Sequence, residues 1–186
     1  SNCHLLIEKP LSHSGKNIKK LLNILEKNNS ITLMGCNLRF HPCIKKIKEL
    51  ILKKRIGTVI SVKAENGSYL PDWHPKEDYT QSYASRKELG GGVLLTMIHE
   101  LDYLIWFFGE VKSVFSITGK FSDLKISADD LSVMLIQFKN KVIGEVHLDY
   151  FQGSKIRSCK VIGTKGTIYW NSENDSVKLY NNRKKK

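Results

Sequence analysis

The stretch LSVMLIQFKNKVIGEVHLDYF, residues 131–151, decides the fold. Apolar and polar residues alternate on both sides of Lys139-Asn140, a pair of turn formers. A period of two sends alternate side chains to opposite faces of a strand, and the polar pair closes a hairpin. The same texture extends outward in both directions. VKSVFSITGKF precedes it from Val111, and KIRSCKVIGT, GTIYWN and SVKLYN follow it. GlyThrLysGly at 163–166 and AsnSerGluAsn at 171–174 separate the later runs. Short turns between alternating runs predict an antiparallel sheet of meander type.

The first half reads differently. HLLIEKP is a short apolar run stopped by a proline, the pattern of a buried parallel strand. A helix is predicted over 14–28, with Ile18, Leu21, Leu22 and Leu25 on one face. SITLMGC, residues 30–36, reads as the next strand, and NLRFHP as a loop. Pro42 opens a second helix that runs to about Lys54, with Ile44, Ile47, Leu50 and Ile51 as its stripe and Gly57 as its stop. TVISVKAENGSYL is a strand candidate, and PDWHPKEDYTQSYASRKEL a long loop of the kind that carries function. Gly90–Gly92 then lead into one helix over 93–107. This order predicts an α+β fold: helices packed on one face of a large, mostly antiparallel sheet, preceded by the last strand of a Rossmann-type α/β unit. The boundary falls between 1–29 and 30–186.

Composition narrows the function. The net charge of +12 is spread over amphipathic lysine-rich segments, with NNRKKK the one basic cluster. Aromatic and basic residues do not interleave as single-strand binders require, so no nucleic-acid partner is expected. No apolar run has the length and freedom from charge of a membrane span, and the opening residues lack the pattern of a secretory signal. Cys3, Cys36, Cys43 and Cys159 form no CxxC pair, which points to reduced thiols in the cytoplasm and to no metal. His147, Asp149 and Tyr150 are read as sheet surface.

Three motifs stand in order: Glu8-Lys9-Pro10 after a strand, Asn37-x-Arg39-x-x-Pro42 after the next, and GGG-x6-His99-Glu100-x-Asp102 before the sheet. Together they resemble the Gfo/Idh/MocA oxidoreductases, NAD(P)-dependent dehydrogenases of sugars and polyols. The resemblance covers nearly the whole chain. It implies a nicotinamide cofactor, NAD or NADP, held mostly by an upstream Rossmann domain; no GxGxxG occurs in this sequence. It also implies a sugar or nucleotide-sugar substrate and a homo-oligomer assembled through the sheet.

On that resemblance Lys9 and His99 are the catalytic pair that handles the hydroxyl proton. Glu8, Lys9, Pro10, Asn37 and Arg39 border the cofactor. Lys9, Trp73, Tyr83, Arg86, His99 and Asp102 meet the substrate. The chemistry is consistent with the residue types: a lysine at a strand end reaches the ligand crevice, and histidine titrates near neutrality. Arg39 is suited to a bidentate grip on a carboxylate or phosphate. One position departs from the family pattern. Related inositol dehydrogenases carry an aspartate one turn before the histidine, where this chain has Leu95. Either Glu100 or Asp102 takes over its orienting role, or the proton chemistry rests on Lys9 and His99. A non-catalytic ligand-binding or dimerisation module of the same fold is the alternative.

Overall fold

The computed structural model describes residues 3–182. The chain opens with β1 (Leu5–Ile7), α1 (Ile18–Lys27) and β2 (Thr32–Met34). β1 and β2 pair in parallel as a two-stranded sheet, with Leu6 opposite Leu33. The strand expected at 30–36 therefore belongs with the N-terminal unit, and the expected boundary at 29/30 cuts through a βαβ motif. The opening strand is not buried here: Leu6 is 75% exposed, and α1 has no buried residue. Its apolar stripe is at most partly covered: Ile18, Leu21 and Leu25 are half-buried and Leu22 is exposed.

α2 (Pro42–Leu52) follows a short 3₁₀ turn at Asn37–Phe40. Pro42 sits in its first turn, where a missing N–H costs nothing, and Ile44, Ile47 and Leu50 are buried. β3 (Val59–Gly67) enters the main sheet, and four 3₁₀ turns fold the long loop down to Leu89. The single helix expected at 93–107 is two, α3 (Val93–Thr96) and α4 (His99–Phe108), bent by 50°. The break falls at Met97-Ile98 and frees the Thr96 carbonyl from helical bonding. No single helix among the described residues is long and apolar enough to cross a membrane.

β4 (Val111–Gly119), β5 (Leu131–Phe138), β6 (Ile143–Asp149), β7 (Ile156–Gly163), β8 (Gly166–Asn171) and β9 (Ser176–Asn181) complete a seven-stranded sheet of order β4-β5-β6-β3-β7-β8-β9. All its pairings are antiparallel except β3 with β6. The meander expected from the turns is thus two three-stranded meanders with β3 inserted between them. The helices cover one face. Val62, Ala64, Val146, Leu148, Cys159 and Val161 point into the core beneath them, with Tyr103, Leu104 and Trp170. The other face is open. Its β4–β5–β6 end is apolar, with Phe115, Ile117, Val133, Leu135 and Ile143 exposed.

Asp149 and Tyr150 do not lie on the sheet surface, as expected from alternation; both are fully buried. Asp149 accepts bonds from the Phe151 and Gln152 backbone amides, the Gln152 side chain and His147. These donors hold its carboxyl low despite burial, and the carboxylate in turn raises the His147 pKa.

Candidate active site

Lys9 stands two residues past the end of β1 and is followed by Pro10, joined by a cis peptide. The Lys9 ammonium crosses to the main domain and donates to the Thr96 carbonyl at 2.6 Å, the group released by the α3–α4 break. His99 opens α4 and is 8% exposed. Both line a cavity of about 570 Å³ with Asn66, Ser68, Tyr69, Asp72, Trp73, Tyr83, Thr96, Met97, Gly153, Lys155 and Arg157. The glycine triplet sets this geometry. Gly90 and Gly92 have φ of 76° and 109°, and a side chain on Gly91 would stand 2.1 Å from the Tyr83 carbonyl.

Burial pulls the His99 pKa down to about 4, with Lys9 and Arg157 adding to the effect against Asp102 and Glu8. Its imidazole is neutral at pH 7, and its Nδ1 is buried with no partner among the described residues. Burial and Arg157 also lower the Lys9 pKa, opposed by Glu100 and Glu8. An uncharged base and a softened ammonium are suited to exchanging a proton with a hydroxyl held between them.

Neither acidic neighbour orients His99. Both Asp102 oxygens are taken by Arg39, at 2.8 and 2.7 Å. Glu100, fully buried, accepts from Arg157 Nε at 2.8 Å and from Asn66 Nδ2 at 3.2 Å. Leu95 does not line the cavity, so the histidine has no carboxylate partner.

Of the expected substrate residues, Lys9, Trp73, Tyr83 and His99 converge on the cavity. Trp73 is fixed by a bond to Ser68 at 2.8 Å and an edge contact with Tyr150. Arg86 and Asp102 do not line it. Arg86 pairs with Glu88 on the surface, and Asp102 is spent on Arg39. Arg39 does not line the cavity either: Asp102 holds it side-on, and it lies 6.0 Å from the Trp106 ring. Glu8 and Asn37 stand at the ends of β1 and β2, with the Glu8 carboxylate packed over Gly35.

Sequence reasoning missed Asn66, Tyr69, Asp72, Lys155 and Arg157. Asn66 and Arg157 are cross-strand partners on β3 and β7, a pairing visible only once the strand order is known. It missed also a cluster of His41, Cys43 and Asp175, whose ligand-type atoms lie within 4.8 Å of one another. These groups already have protein partners: His41 Nδ1 caps α2 at the Cys43 amide, the Cys43 thiol donates to the Asp175 carbonyl, and Trp170 donates to the Asp175 carboxylate. The cluster ties α2 to the β8–β9 turn.

The molecule is a broad sheet with one helix-covered face, its cavity placed where a βαβ motif meets it. The chain belongs to the GFO/IDH/MocA family: the model of that family's C-terminal domain matches residues 44–169. Levoglucosan dehydrogenase of Pseudarthrobacter phenanthrenivorans is 24% identical over 91% of this chain and 50% of its own length. Myo-inositol 2-dehydrogenase of Thermotoga maritima is 27% identical over 89% of this chain and 48% of its own. Among solved structures, the WlbA dehydrogenase of Bordetella pertussis, in complex with NADH and UDP-GlcNAcA, superposes with a TM-score of 0.83 at 18% identity, covering 97% of this chain and 53% of that one. The chain spans about half the length of the curated relatives it matches.

Proposed function

We propose that this chain is the substrate-binding part of an oxidoreductase that moves a hydride between NAD or NADP and a carbinol of a sugar or polyol. The observation that carries the reading is the meeting of Lys9 and a neutral, buried His99 in one cavity at the end of a βαβ motif. The names of the relatives, dehydrogenases of levoglucosan and myo-inositol, support the substrate class. The UDP-GlcNAcA bound to the WlbA enzyme supports a nucleotide sugar within it.

The residues present fit a nicotinamide group: the ends of β1 and β2 open beside Lys9, and the buried His99 Nδ1 and Thr96 Oγ1 have no partner among the described residues. When bound, that group supplies or accepts the hydride. Lys9 and the residues around it, Glu8, Pro10 and Asn37, would border it. In the oxidative direction His99 takes the hydroxyl proton, while Lys9, anchored on the Thr96 carbonyl, donates a bond to the substrate oxygen. Trp73 and Tyr83 offer apolar faces to a sugar ring. The burial of His99 limits water at that base. We expect the chain by itself not to turn over, since it spans about half the length of the dehydrogenases it matches.

We infer further that the protein assembles with itself through the open sheet face, whose apolar end is the support for that reading. Four free cysteines support a reducing, cytoplasmic setting. One observation favours a second reading: with Leu95 in place of the acid, His99 has no orienting carboxylate, as in a module that binds without reacting.

The test is hydride transfer by the full-length protein, followed by reduced-nicotinamide absorbance over a panel of sugars. Lys9→Met and His99→Asn should each lower kcat by about 10²–10⁴-fold with cofactor binding retained. Rates unchanged in both variants would remove Lys9 and His99 as the catalytic pair, and sugar binding with no hydride transfer by the parent would leave the binding module as the surviving reading.

A further inference from the structure

We propose that the cavity holds an oxyanion subsite centred on Arg157 and flanked by Lys9 and Lys155, which seats a carboxylate or phosphate group of the substrate. The proposal rests on reading the cavity as the substrate site, and it adds the chemical group that the substrate must carry.

The first observation is how Arg157 is held. It projects from β7 into the cavity with its side chain 24% exposed, while Glu100 beneath it is fully buried. The Glu100 carboxylate takes the inner edge of the guanidinium, Nε at 2.8 Å and Nη2 at 3.4 Å. Asn66 donates to the same carboxylate at 3.2 Å, which fixes it from the β3 side. Nη1 has no protein partner among the described residues. A side-on pair of this kind leaves the outer end of the guanidinium, one N–H from each Nη, aimed outward as a second fork. A buried ion pair made only for stability has no need of a free edge in a cavity.

The second observation is the charge around that edge. Lys9 and Lys155 line the same cavity, where Asp72 is the one acid among its lining residues. Glu100 is already committed to Arg157. At His99 the influence of Lys9 and Arg157 outranks that of Asp102 and Glu8, so the local field is positive. A neutral polyol has no use for such a field; an anionic one gains from every cation in it. The arginines picked out by their sequence context, Arg39 and Arg86, are both paired to acids and do not line the cavity, which leaves Arg157 as its guanidinium.

Glu100 is then a positioning residue. It meets no cavity space itself, and it sets the direction of Arg157.

The test uses the full-length protein and calorimetric titration with three probes: glucose, glucuronate and glucose 6-phosphate. At least one anionic probe should bind tenfold or more tightly than glucose, and which of the two it is distinguishes carboxylate from phosphate. Arg157→Met should abolish that preference, bringing the affinity of the anionic probe down to that of glucose. Lys155→Met, at the cavity mouth, should reduce it severalfold, and serves if Arg157→Met fails to fold. Glu100→Gln should lower the ratio of anion to glucose affinity severalfold with glucose affinity unchanged, and Glu100→Asp should restore part of it; a purely structural carboxylate would move both affinities together. Equal binding of the three probes, binding of none, or a preference that survives Arg157→Met and Lys155→Met would overturn the proposal. Failure of the two readings is separable. Equal binding with hydride transfer intact in the full-length protein removes the subsite alone, while anion preference without any hydride transfer removes the dehydrogenase alone.

Discussion

His99 shows how one side chain ties stability to chemistry. Its folded pKa of about 4 lies below the 6.5 of an unfolded histidine. Between those values the unfolded chain binds a proton that the folded chain refuses, so stability is fully present above pH 6.5 and is lost as pH falls toward 4. The whole difference is roughly 3 kcal/mol. His147 runs the other way: its raised pKa gives stability that is present at low pH and lost as pH rises through the folded value. We expect His99→Gln to flatten the loss of stability between pH 6.5 and 4 in urea titrations, and His147→Gln to remove a loss that sets in as pH rises above 6.5. An unchanged slope in His99→Gln would mean that the imidazole is solvated. The sequence made Lys9 and His99 legible because their motifs are local. Arg157 was not legible, because its partners Glu100 and Asn66 are distant in the chain and meet it only across the core.

At the scale of elements, the helix break lines the cavity at Thr96 and Met97, and the glycine triplet leads the chain into it. Gly91 has no room for a side chain, since the Tyr83, Ala84 and Arg86 carbonyls surround its Cα within 2.8 Å of a built Cβ. We expect Gly91→Ala to cost on the order of 2–4 kcal/mol by chemical denaturation. Gly153→Ala, with nothing within 4 Å, should stay within about 0.5 kcal/mol of the parent. Equal costs at the two sites would show that the surroundings of Gly91 yield. The break between α3 and α4 was not legible: VLLTMIHELDYLIWFF carries no proline or glycine, so periodicity alone predicts one helix. What the break provides is tertiary, a carbonyl for Lys9, and local pattern does not encode a partner 87 positions away.

The whole molecule follows from where β3 sits. Alternation and turns made the strands and the open face legible, and they led correctly to an α+β fold. They did not show that β3 enters between the two meanders, parallel to β6, because a parallel pair requires a long connection and leaves no turn signal at the junction. Assembly through the open face gives a direct prediction at this scale. Leu135→Lys, on the exposed face of β5, should shift the full-length protein toward monomers in sedimentation velocity with secondary structure unchanged. Assembly unaffected by that charge would place the contact elsewhere.

The ribbon of β1 and β2 has a practical consequence. Among the described residues each strand keeps one edge of unpaired amides and carbonyls, and Leu6, Ile31 and Leu33 stand 75%, 69% and 52% exposed around it. Bare edges flanked by apolar side chains recruit any strand that drifts past. A preparation of this chain at high concentration should bind environment-sensitive dyes, cloud on standing and lose titre on storage. Charges introduced at Leu6 and Leu33 should clear it while leaving the cavity untouched.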